Sequence, residues 1–321
     1  MRADVPRAGV TRRRFVAVTA AAAGFALLPA GLRPRADEGA LVTWTGVALG
    51  AVASLRIHHP DRAEAERLVA AAVAETRRLE AIFSLWRDDS ALAVLNRSGV
   101  LVAPPPELVT LLEACGRVNR LTGGVFDPTV QPLWDCYVAH FSAQGRDAGP
   151  PPAVSIAAAL AKVGFDKLRL GRDRIAFARR GMAVTLNGIA QGFITDRVVA
   201  LLRDAGLAHA LVDMGEIRAI GDHPAHRPWH VALEGAATQE IDVVDRAVAT
   251  SAAAGFRFDT GGRCNHLFDP RTGGCADASR RVTVVADDAT TADALSSAFS
   301  LMDEAAIARV LGERPDIKRI A

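Results

Sequence analysis

The residues best suited to hold a metal ion lie near the C-terminal end of the chain, in a stretch with a helical pattern. Asp293, Ser296 and Ser297 stand at positions i, i+3 and i+4, so a helix places them on one face. A carboxylate and hydroxyls, completed by backbone carbonyl and phosphate oxygens, form the oxygen ligand set that suits Mg²⁺. The same spacing is also typical of an ordinary polar helix face, so this stretch alone does not establish a metal site.

A second stretch, residues 184–192, joins an apolar strand to a helix through the turn Asn187-Gly188. Glycine lets the backbone come close to a ligand. The free N–H groups and the positive dipole end of the following helix suit an anion such as a phosphate. An ordinary strand–turn–helix connection capped by Asn187 fits the same residues equally well.

Two further stretches place a polar side chain beside an aromatic residue and a Pro turn. In the first, Asp127 follows Phe126 and precedes Pro128. Its carboxylate could hold a purine or ribose, and a plain Asp-Pro turn is the alternative. In the second, His266 stands two residues before Phe268. A histidine is suited to act as a general base near neutral pH, although a structural histidine in a strand is the alternative.

Taken in order, these stretches resemble the motifs of the ApbE family of FAD:protein FMN transferases. The resemblance spans about residues 45–312, and each motif is weak singly, whereas seven in the same order are specific. The seven counterparts in this chain are residues 49–52, 83–96, 124–129, 185–196, 247–251, 265–273 and 292–297.

The resemblance implies a Mg²⁺-dependent enzyme that splits FAD, releases AMP and joins FMN through a phosphoester to a Thr or Ser hydroxyl of a partner flavoprotein. By position in the motifs, the residues implied to line FAD are Leu49, Trp86, Val125, Phe126, Asp127, Thr185, Gln191 and Phe268. Those implied to hold Mg²⁺ are the Gly188 carbonyl, the Asp293 carboxylate and the Ser297 hydroxyl, with Ser296 nearby. A hydroxyl is a poor nucleophile at neutral pH, and His266 is the candidate base.

The chain departs from the family pattern at two positions. Thr185 stands where the family has an acid, and Gln191 stands where it has a lysine. Two alternatives therefore stay open: a periplasmic FAD carrier without transferase activity, and a metal-dependent FAD pyrophosphatase that releases free FMN and AMP. Asp293 and Ser297 favour the two enzymes over the carrier.

The order of the helices and strands that must position these residues predicts an α+β fold. Strands and hairpins, including one at residues 44–58 around Gly50, alternate with helices expected at 63–83, 107–121, 155–163, 189–205, 289–302 and 304–311. Runs of strands between a few helices predict a mostly antiparallel sheet flanked by helices. The resemblance implies one ApbE-like, T-fold-like domain over residues 40–321.

Residues 1–36 have the pattern of a cleavable export signal followed by a linker. The adjacent Arg12 and Arg13 precede an apolar run of about 13 residues, too short to span a bilayer. The arginine pair predicts export by the twin-arginine (Tat) route to the periplasm. Such a setting resembles that of exported family members linked to nitrous oxide reductase maturation, with a membrane-associated respiratory subunit or regulator as the acceptor.

Charge and cysteine content exclude other classes of function. Beyond residue 36 the chain has 31 basic and 35 acidic residues, a net charge of −4, and no basic stripe typical of nucleic-acid binding. Cys115, Cys136, Cys264 and Cys275 lack zinc spacing. A Cys264–Cys275 disulfide is possible in an oxidising compartment, but free cysteines are the favoured interpretation.

Overall fold

The computed structural model describes residues 40–48, 50–233 and 239–320. The predicted signal at 1–36 and the predicted FAD contact Leu49 lie outside these residues. Within the described ranges, no helix is both long and apolar enough to cross a membrane.

Twelve strands and eight α-helices are present in the described part of the chain. The strands are β1 (Ala40–Ala48), β2 (Ala51–His59), β3 (Val100–Val102), β4 (Leu168–Leu170), β5 (Arg174–Phe177), β6 (Ala210–Asp213), β7 (Ile217–Ile220), β8 (Trp229–Leu233), β9 (Gln239–Val243), β10 (Ala247–Ala252), β11 (Arg281–Ala286) and β12 (Lys318–Ile320). The helices are α1 (Arg62–Phe83), α2 (Ala91–Ser98), α3 (Pro106–Leu121), α4 (Gln131–Gln144), α5 (Ala153–Leu160), α6 (Ala190–Asp204), α7 (Ala289–Phe299) and α8 (Glu304–Glu313).

The largest sheet has seven strands in the order β1-β2-β6-β7-β10-β11-β12. Each strand pair in it is antiparallel, and β1 and β2 pair along their whole length around Gly50. Two smaller sheets, β3-β5-β4 and β8-β9, are antiparallel as well. The predicted α+β fold with a mostly antiparallel sheet is therefore confirmed.

Helices α1, α6 and α7 cover one face of this sheet and share its main hydrophobic core. The buried stripe of α1 shows why the helix forms there, because Leu68, Ala72, Leu79 and Phe83 recur at helical spacing and face the core. The other face is covered in part by the β8–β9 hairpin, whose Trp229 packs in a smaller apolar cluster.

Helices α6 and α7 cross at very short range. A Cβ at Gly192 would lie 2.2 Å from the carbonyl oxygen of Ala289, so only glycine permits this approach. Asp196 of α6 caps the start of α7, since its Oδ1 accepts from Ala289 N at 2.8 Å and its Oδ2 from Thr290 N at 2.9 Å. The two helices are thereby fixed to each other at the N-terminus of α7.

Two helices, α2 and α4, form where the sequence patterns did not indicate them. Ser90 caps α2 by accepting from Ala93 N. Helix α4 belongs to a second, aromatic core in which Tyr137 and Phe141 contact Phe258, and Tyr137 also contacts Phe268. The predicted helix at 289–302 is shorter in the structure, where α7 ends at Phe299.

Candidate active site

Asp293 stands in the middle of α7 and is 3% exposed. Gly192 N, on α6, donates to Asp293 Oδ2 at 3.0 Å, and among the described residues this is the only hydrogen bond to the carboxylate. Burial, with a smaller contribution from the charge of Asp196, raises the pKa of Asp293 to about 7. A buried carboxylate with one free oxygen is a strong attractor for a cation.

The hydroxyls of Ser251, Ser296 and Ser297 form a short chain beside Asp293. Ser251 Oγ, on β10, lies 2.8 Å from Ser296 Oγ and 3.0 Å from Ser297 Oγ. Ser296 donates its proton to the carbonyl oxygen of Asp293 at 2.9 Å. Each hydroxyl has one proton, so Ser251 must donate to Ser296, and Ser297 must donate to Ser251. Ser297 Oγ is therefore left with lone pairs that no described donor uses, whereas Ser296 both donates and accepts within the protein.

Gly188 brings a backbone carbonyl to the same place. A Cβ at this position would lie 3.0 Å from Ser297 Oγ and 3.8 Å from Phe126 Cε2, so the turn packs directly against both residues. Because Gly192 N–H donates to Asp293, it does not bond the carbonyl of Gly188 one turn earlier. Among the described residues, that carbonyl accepts no hydrogen bond.

The oxygen atoms at this place fit the ligand preference of Mg²⁺. The predicted ligand atoms are a carboxylate oxygen of Asp293, the hydroxyl oxygen of Ser297 and the carbonyl oxygen of Gly188, and each has lone pairs that no described donor uses. Hard oxygen ligands of this kind, completed by substrate phosphates and water, are what Mg²⁺ takes. In the described ranges, no group of three or more His, Cys, Asp or Glu side chains could hold a metal ion, so the predicted set relies on hydroxyl and carbonyl oxygens.

The turn between β6 and β7 contains a further acid, Glu216, whose charge interacts with that of Asp293, and β6 ends in another acid, Asp213. Burial, together with the charges of Asp293 and Asp213, raises the pKa of Glu216 well above its ordinary value. Burial also raises the pKa of Asp213 to about 6. Gln191 covers this turn, since a Cβ at Gly215 would lie 2.4 Å from its Nε2. Gln191, which stands where the family pattern has a lysine, thus lies beside a turn whose acid Glu216 favours the neutral form because its pKa is raised.

The loop from Val125 to Thr129 lies against the Gly188 turn. Thr185 N donates to the carbonyl of Pro128 at 2.8 Å, which joins the two segments. Both oxygens of Asp127 are used locally, by Thr129 N and Oγ1 and by Phe165 N. The Asp127 carboxylate therefore holds its own turn together, and burial raises its pKa. Its predicted contact with FAD stays a prediction.

The remaining predicted FAD contacts fall in different environments. Phe126 and Val125 are 7% and 5% exposed and pack against the main core, with the Phe126 ring edge near Gly188. Trp86 is 62% exposed on the segment between α1 and α2. Phe268 is 4% exposed, and its ring packs on Tyr137 and Phe258 in the aromatic core. A contact between FAD and the Phe268 ring stays a prediction.

His266 is half-buried beside the loop that follows β10. Its Nδ1 lies 3.4 Å from the carbonyl of Phe256, and a Cβ at Gly255 would lie 3.4 Å from its Cε1. A carbonyl can only accept, so Nδ1 carries the proton and Nε2 has the lone pair. Burial lowers the pKa of His266, which keeps the imidazole neutral near pH 7. Ser251 and Gly255 are four residues apart, so one short segment links the serine chain to this histidine.

Some residues of this site have no individual signal in the sequence. Ser251 ends one of the family-like stretches, yet its contact with both serines depends on the register of β10. Glu216 is a lone acid after a glycine. Asn96 holds the segment before Gly188, which was predicted as a strand but forms none in the structure, because its Nδ2 donates to Val184 O at 2.8 Å and its Oδ1 accepts from Val184 N at 2.7 Å.

The candidate residues supply three functions, and the short segment from Ser251 to His266 links the oxygen set to the imidazole. A set of oxygen atoms can hold a divalent cation, a helix start and a glycine turn can receive phosphate oxygens, and a neutral imidazole is available to take a proton. Together these are the parts required for transfer of a phosphoryl-linked group from a nucleotide to a hydroxyl.

Comparisons with known proteins agree with this chemistry. The ApbE family profile matches residues 49–320. A Treponema pallidum protein named FAD:protein FMN transferase is 31% identical over 264 residues, which is 74% of this chain and 72% of that protein. Relatives of the same name occur in Klebsiella pneumoniae, Haemophilus influenzae and Vibrio cholerae.

Solved structures show the same fold. The apo form of the Pseudomonas stutzeri flavinyl transferase ApbE matches with a TM-score of 0.73 and 27% identity, covering 86% of this chain and 89% of that one. The flavin transferase ApbE of Vibrio cholerae matches with a TM-score of 0.75 and 25% identity, covering 88% and 97%.

Proposed function

The chain belongs to the ApbE family, and from that premise we propose that it transfers FMN from FAD to a Thr or Ser hydroxyl of a partner flavoprotein, with release of AMP. The observation that carries this proposal is a set of three oxygen atoms, on Gly188, Asp293 and Ser297, with lone pairs that no described hydrogen-bond donor uses. They surround the helix start where a pyrophosphate is best received.

We propose that Mg²⁺ is held by the Gly188 carbonyl, the Asp293 carboxylate and the Ser297 hydroxyl. When bound, the ion neutralises charge on the pyrophosphate of FAD as the bond to AMP breaks. Burial makes the ionised Asp293 costly in its absence, because the pKa of this carboxyl is raised. Ser296 and Ser251 orient Ser297 through the hydroxyl chain and do not themselves need to touch the ion.

His266 supplies the base for the acceptor. The acceptor oxygen forms a bond to the phosphorus of the FMN half, the bond from that phosphorus to the AMP oxygen breaks, and the hydroxyl proton moves to Nε2 of His266. The hydrogen bond from Nδ1 to the Phe256 carbonyl fixes the ring with Nε2 as the acceptor. The lowered pKa of His266 supports this role, because the imidazole must be neutral to accept a proton.

The first experiment uses the protein without residues 1–36, FAD, Mg²⁺ and a flavoprotein fragment with a candidate acceptor Thr. Flavin fluorescence that stays on the fragment in a denaturing gel, and that needs Mg²⁺, establishes the transferase. AMP in solution with a dark fragment indicates the pyrophosphatase instead. Bound, intact FAD and no AMP indicates the carrier.

The role of His266 is tested by His266→Ala. We expect FAD affinity to stay within about twofold and the transfer rate to fall by about 10²–10⁴, the usual contribution of a general base. In the parent protein the rate should fall as pH drops through a value below the ordinary histidine pKa of about 6.5. Full transfer by the variant would remove His266 from the mechanism.

We also propose that residues 1–36 direct export through the Tat route to the periplasm and that the acceptor is a membrane-associated respiratory subunit or regulator. The paired Arg12 and Arg13 support the first part. Replacing both arginines by lysine should retain the protein in the cytoplasm, which cell fractionation measures. Export at the level of the parent protein would reject the Tat assignment.

A further inference from the structure

Residues 256–266 form a short hairpin, here called the arginine hairpin, with the candidate base at its end. Phe258 N donates to the carbonyl of Cys264 at 2.8 Å, and Arg257 pairs with Asn265 as an antiparallel bridge. The chain reverses at Gly261 and Gly262, where Gly262 has a φ of +71°. His266 directly follows the returning arm, so whatever contacts the hairpin lies close to the catalytic imidazole.

Three arginines are exposed on and beside this hairpin. Arg257 and Arg263 belong to it, and Arg146 comes from the loop after α4, where its guanidinium donates to the carbonyl of Arg257 at 3.1 Å. A Cβ at Gly262 would lie 3.2 Å from Arg257 Nε, so the Arg257 side chain lies across the glycine turn. The three side chains therefore project from one small area.

The carboxylates near the hairpin form no short ion pairs with the guanidinium groups of these arginines. Asp259 is 3% exposed, and its carboxylate accepts from the backbone N of Arg263 and Cys264 inside the hairpin. Its nearest approach to the Arg263 guanidinium is 3.8 Å, with 73% of the arginine side chain exposed. Asp147 accepts from Thr260 Oγ1. Among the described residues, Arg257 has no carboxylate within ion-pair distance.

A cluster of available guanidinium groups is unexpected on a chain whose residues beyond 36 have a net charge of −4. Guanidinium groups bind carboxylates with two parallel hydrogen bonds, which gives orientation as well as attraction. Attraction between opposite charges also speeds the encounter of two proteins and selects between partners.

We propose that the arginine hairpin is the docking surface for the acceptor protein, and that it binds a segment with Asp or Glu side chains close to the modified Thr or Ser. This inference rests on the proposed function only for the identity of the partner. The acidic side chains pair with Arg257 and Arg263, and the neighbouring hydroxyl is thereby held near Nε2 of His266.

Binding is tested apart from chemistry with two fluorescein-labelled peptides of 12 residues. One has a central Thr flanked by four Asp or Glu residues, and the other has Asn or Gln at those four positions. Fluorescence anisotropy with the protein lacking residues 1–36 should show about tenfold tighter binding of the acidic peptide at low salt. The difference should shrink as salt is raised, since exposed charges are screened.

The double variant Arg257→Glu/Arg263→Glu should lose this preference, and its affinity for the acidic peptide should fall by about tenfold or more. Arg77→Glu/Arg172→Glu, at two exposed positions outside the hairpin, changes the net charge by the same amount and serves as the matched control. Arg257→Lys/Arg263→Lys should keep most of the preference, because the charge remains. Far-ultraviolet circular dichroism and FAD affinity should match the parent protein in all variants.

Several results would overturn the inference: equal binding of both peptides, unchanged binding by the double Glu variant, or a loss of FAD affinity in that variant, which would assign the arginines to FAD. Failure of the proposed function is a separate result. A protein that prefers the acidic peptide through Arg257 and Arg263 but leaves every acceptor fragment without covalent flavin keeps the docking surface and loses the transferase.

Discussion

At the scale of single residues, proton counting separates two serines that the sequence leaves equivalent. Ser296 and Ser297 are adjacent on α7, and both fit an oxygen ligand set. The hydroxyl of Ser296 is 0% exposed and donates to a backbone carbonyl, whereas Ser297 has unshared lone pairs beside Gly188. We therefore expect Ser297 to be the ligand and Ser296 to support it from within the protein.

This difference predicts that matched substitutions at the two serines affect different properties. Ser297→Ala should raise the Mg²⁺ concentration that half-saturates transfer by at least about tenfold, with little change in the free energy of unfolding. Ser296→Ala should lower the free energy of unfolding by roughly 1–2 kcal/mol, because a buried hydrogen bond is lost. Mg²⁺ titration of the transfer rate and urea denaturation measure the two effects. Equal Mg²⁺ curves for Ser297→Ala and the parent protein would contradict the assignment.

The sequence could supply Gly188, Asp293 and Ser297 as candidates, because short motifs and helical spacing are local properties. Ser251 could not be recognised in this way, since its contact with α7 requires the pairing of β10 with its neighbours. For the same reason the sequence could not show that the Phe268 ring packs in the aromatic core or that Asp127 holds its own turn. The predicted contacts of both residues with FAD stay predictions.

At the scale of elements, the short helix α2 supports the Gly188 turn although the two are far apart in the sequence. Asn96 bonds both the N–H and the carbonyl of Val184, so it acts as a missing strand partner for the residues that lead into Gly188. This helix was not expected, because eight residues give too little periodicity to reveal it. Helix α4 was also missed, since Pro132 at its start resembles a turn and its aromatic residues show no clear apolar face.

We therefore expect Asn96→Ala to lower the free energy of unfolding by roughly 2–3 kcal/mol, since two buried backbone groups lose their partners. The Mg²⁺ requirement should rise as well, because the Gly188 turn loosens. Arg97→Ala on the exposed side of α2 is the control and should change stability by less than about 0.5 kcal/mol. Chemical denaturation decides the matter, and a loss no larger than that of the control would show that Val184 is held by other contacts.

At the scale of the whole molecule, buried acids make stability depend on pH. Burial raises the pKa of Asp213 to about 6, so between about pH 4 and 6 the folded protein holds a proton that the unfolded chain has released. The unfolded state binds fewer protons in this range, and stability therefore falls as pH rises through it. The raised pKa values of Asp293 and Glu216 act in the same direction.

Asp213→Asn should reduce this fall while keeping the acceptor for Gly215 N, which lies 3.0 Å from Oδ1. Comparing pH 4 with pH 7 in Mg²⁺-free buffer, the parent protein should lose up to roughly 3 kcal/mol more than the variant. Asp88→Asn, at an exposed position, should follow the parent protein. Parallel stability curves for Asp213→Asn and the parent would show that Asp213 titrates normally in the folded state.

The general architecture was predictable from the sequence because amphipathic helices and short strands have distinct periods. The order of the seven strands was not, because it depends on which edges meet after the whole chain has folded. The basic surface at the arginine hairpin also depends on the folded chain. Arg146 is more than 100 residues from Arg257 and Arg263 in the sequence, and the three form one surface only when the loop after α4 meets the hairpin.

The crossing of α6 and α7 at Gly192 has a consequence for changing what this protein recognises. The atoms proposed to hold the ion are positioned by a contact between two helix backbones and by the Asp196 cap, neither of which involves the exposed arginines of the hairpin. Positions 257 and 263 can therefore be changed while His266 and the helix pair are kept. Redesigning these two positions for a different segment offers a route to label new target proteins with flavin while the chemistry stays in place.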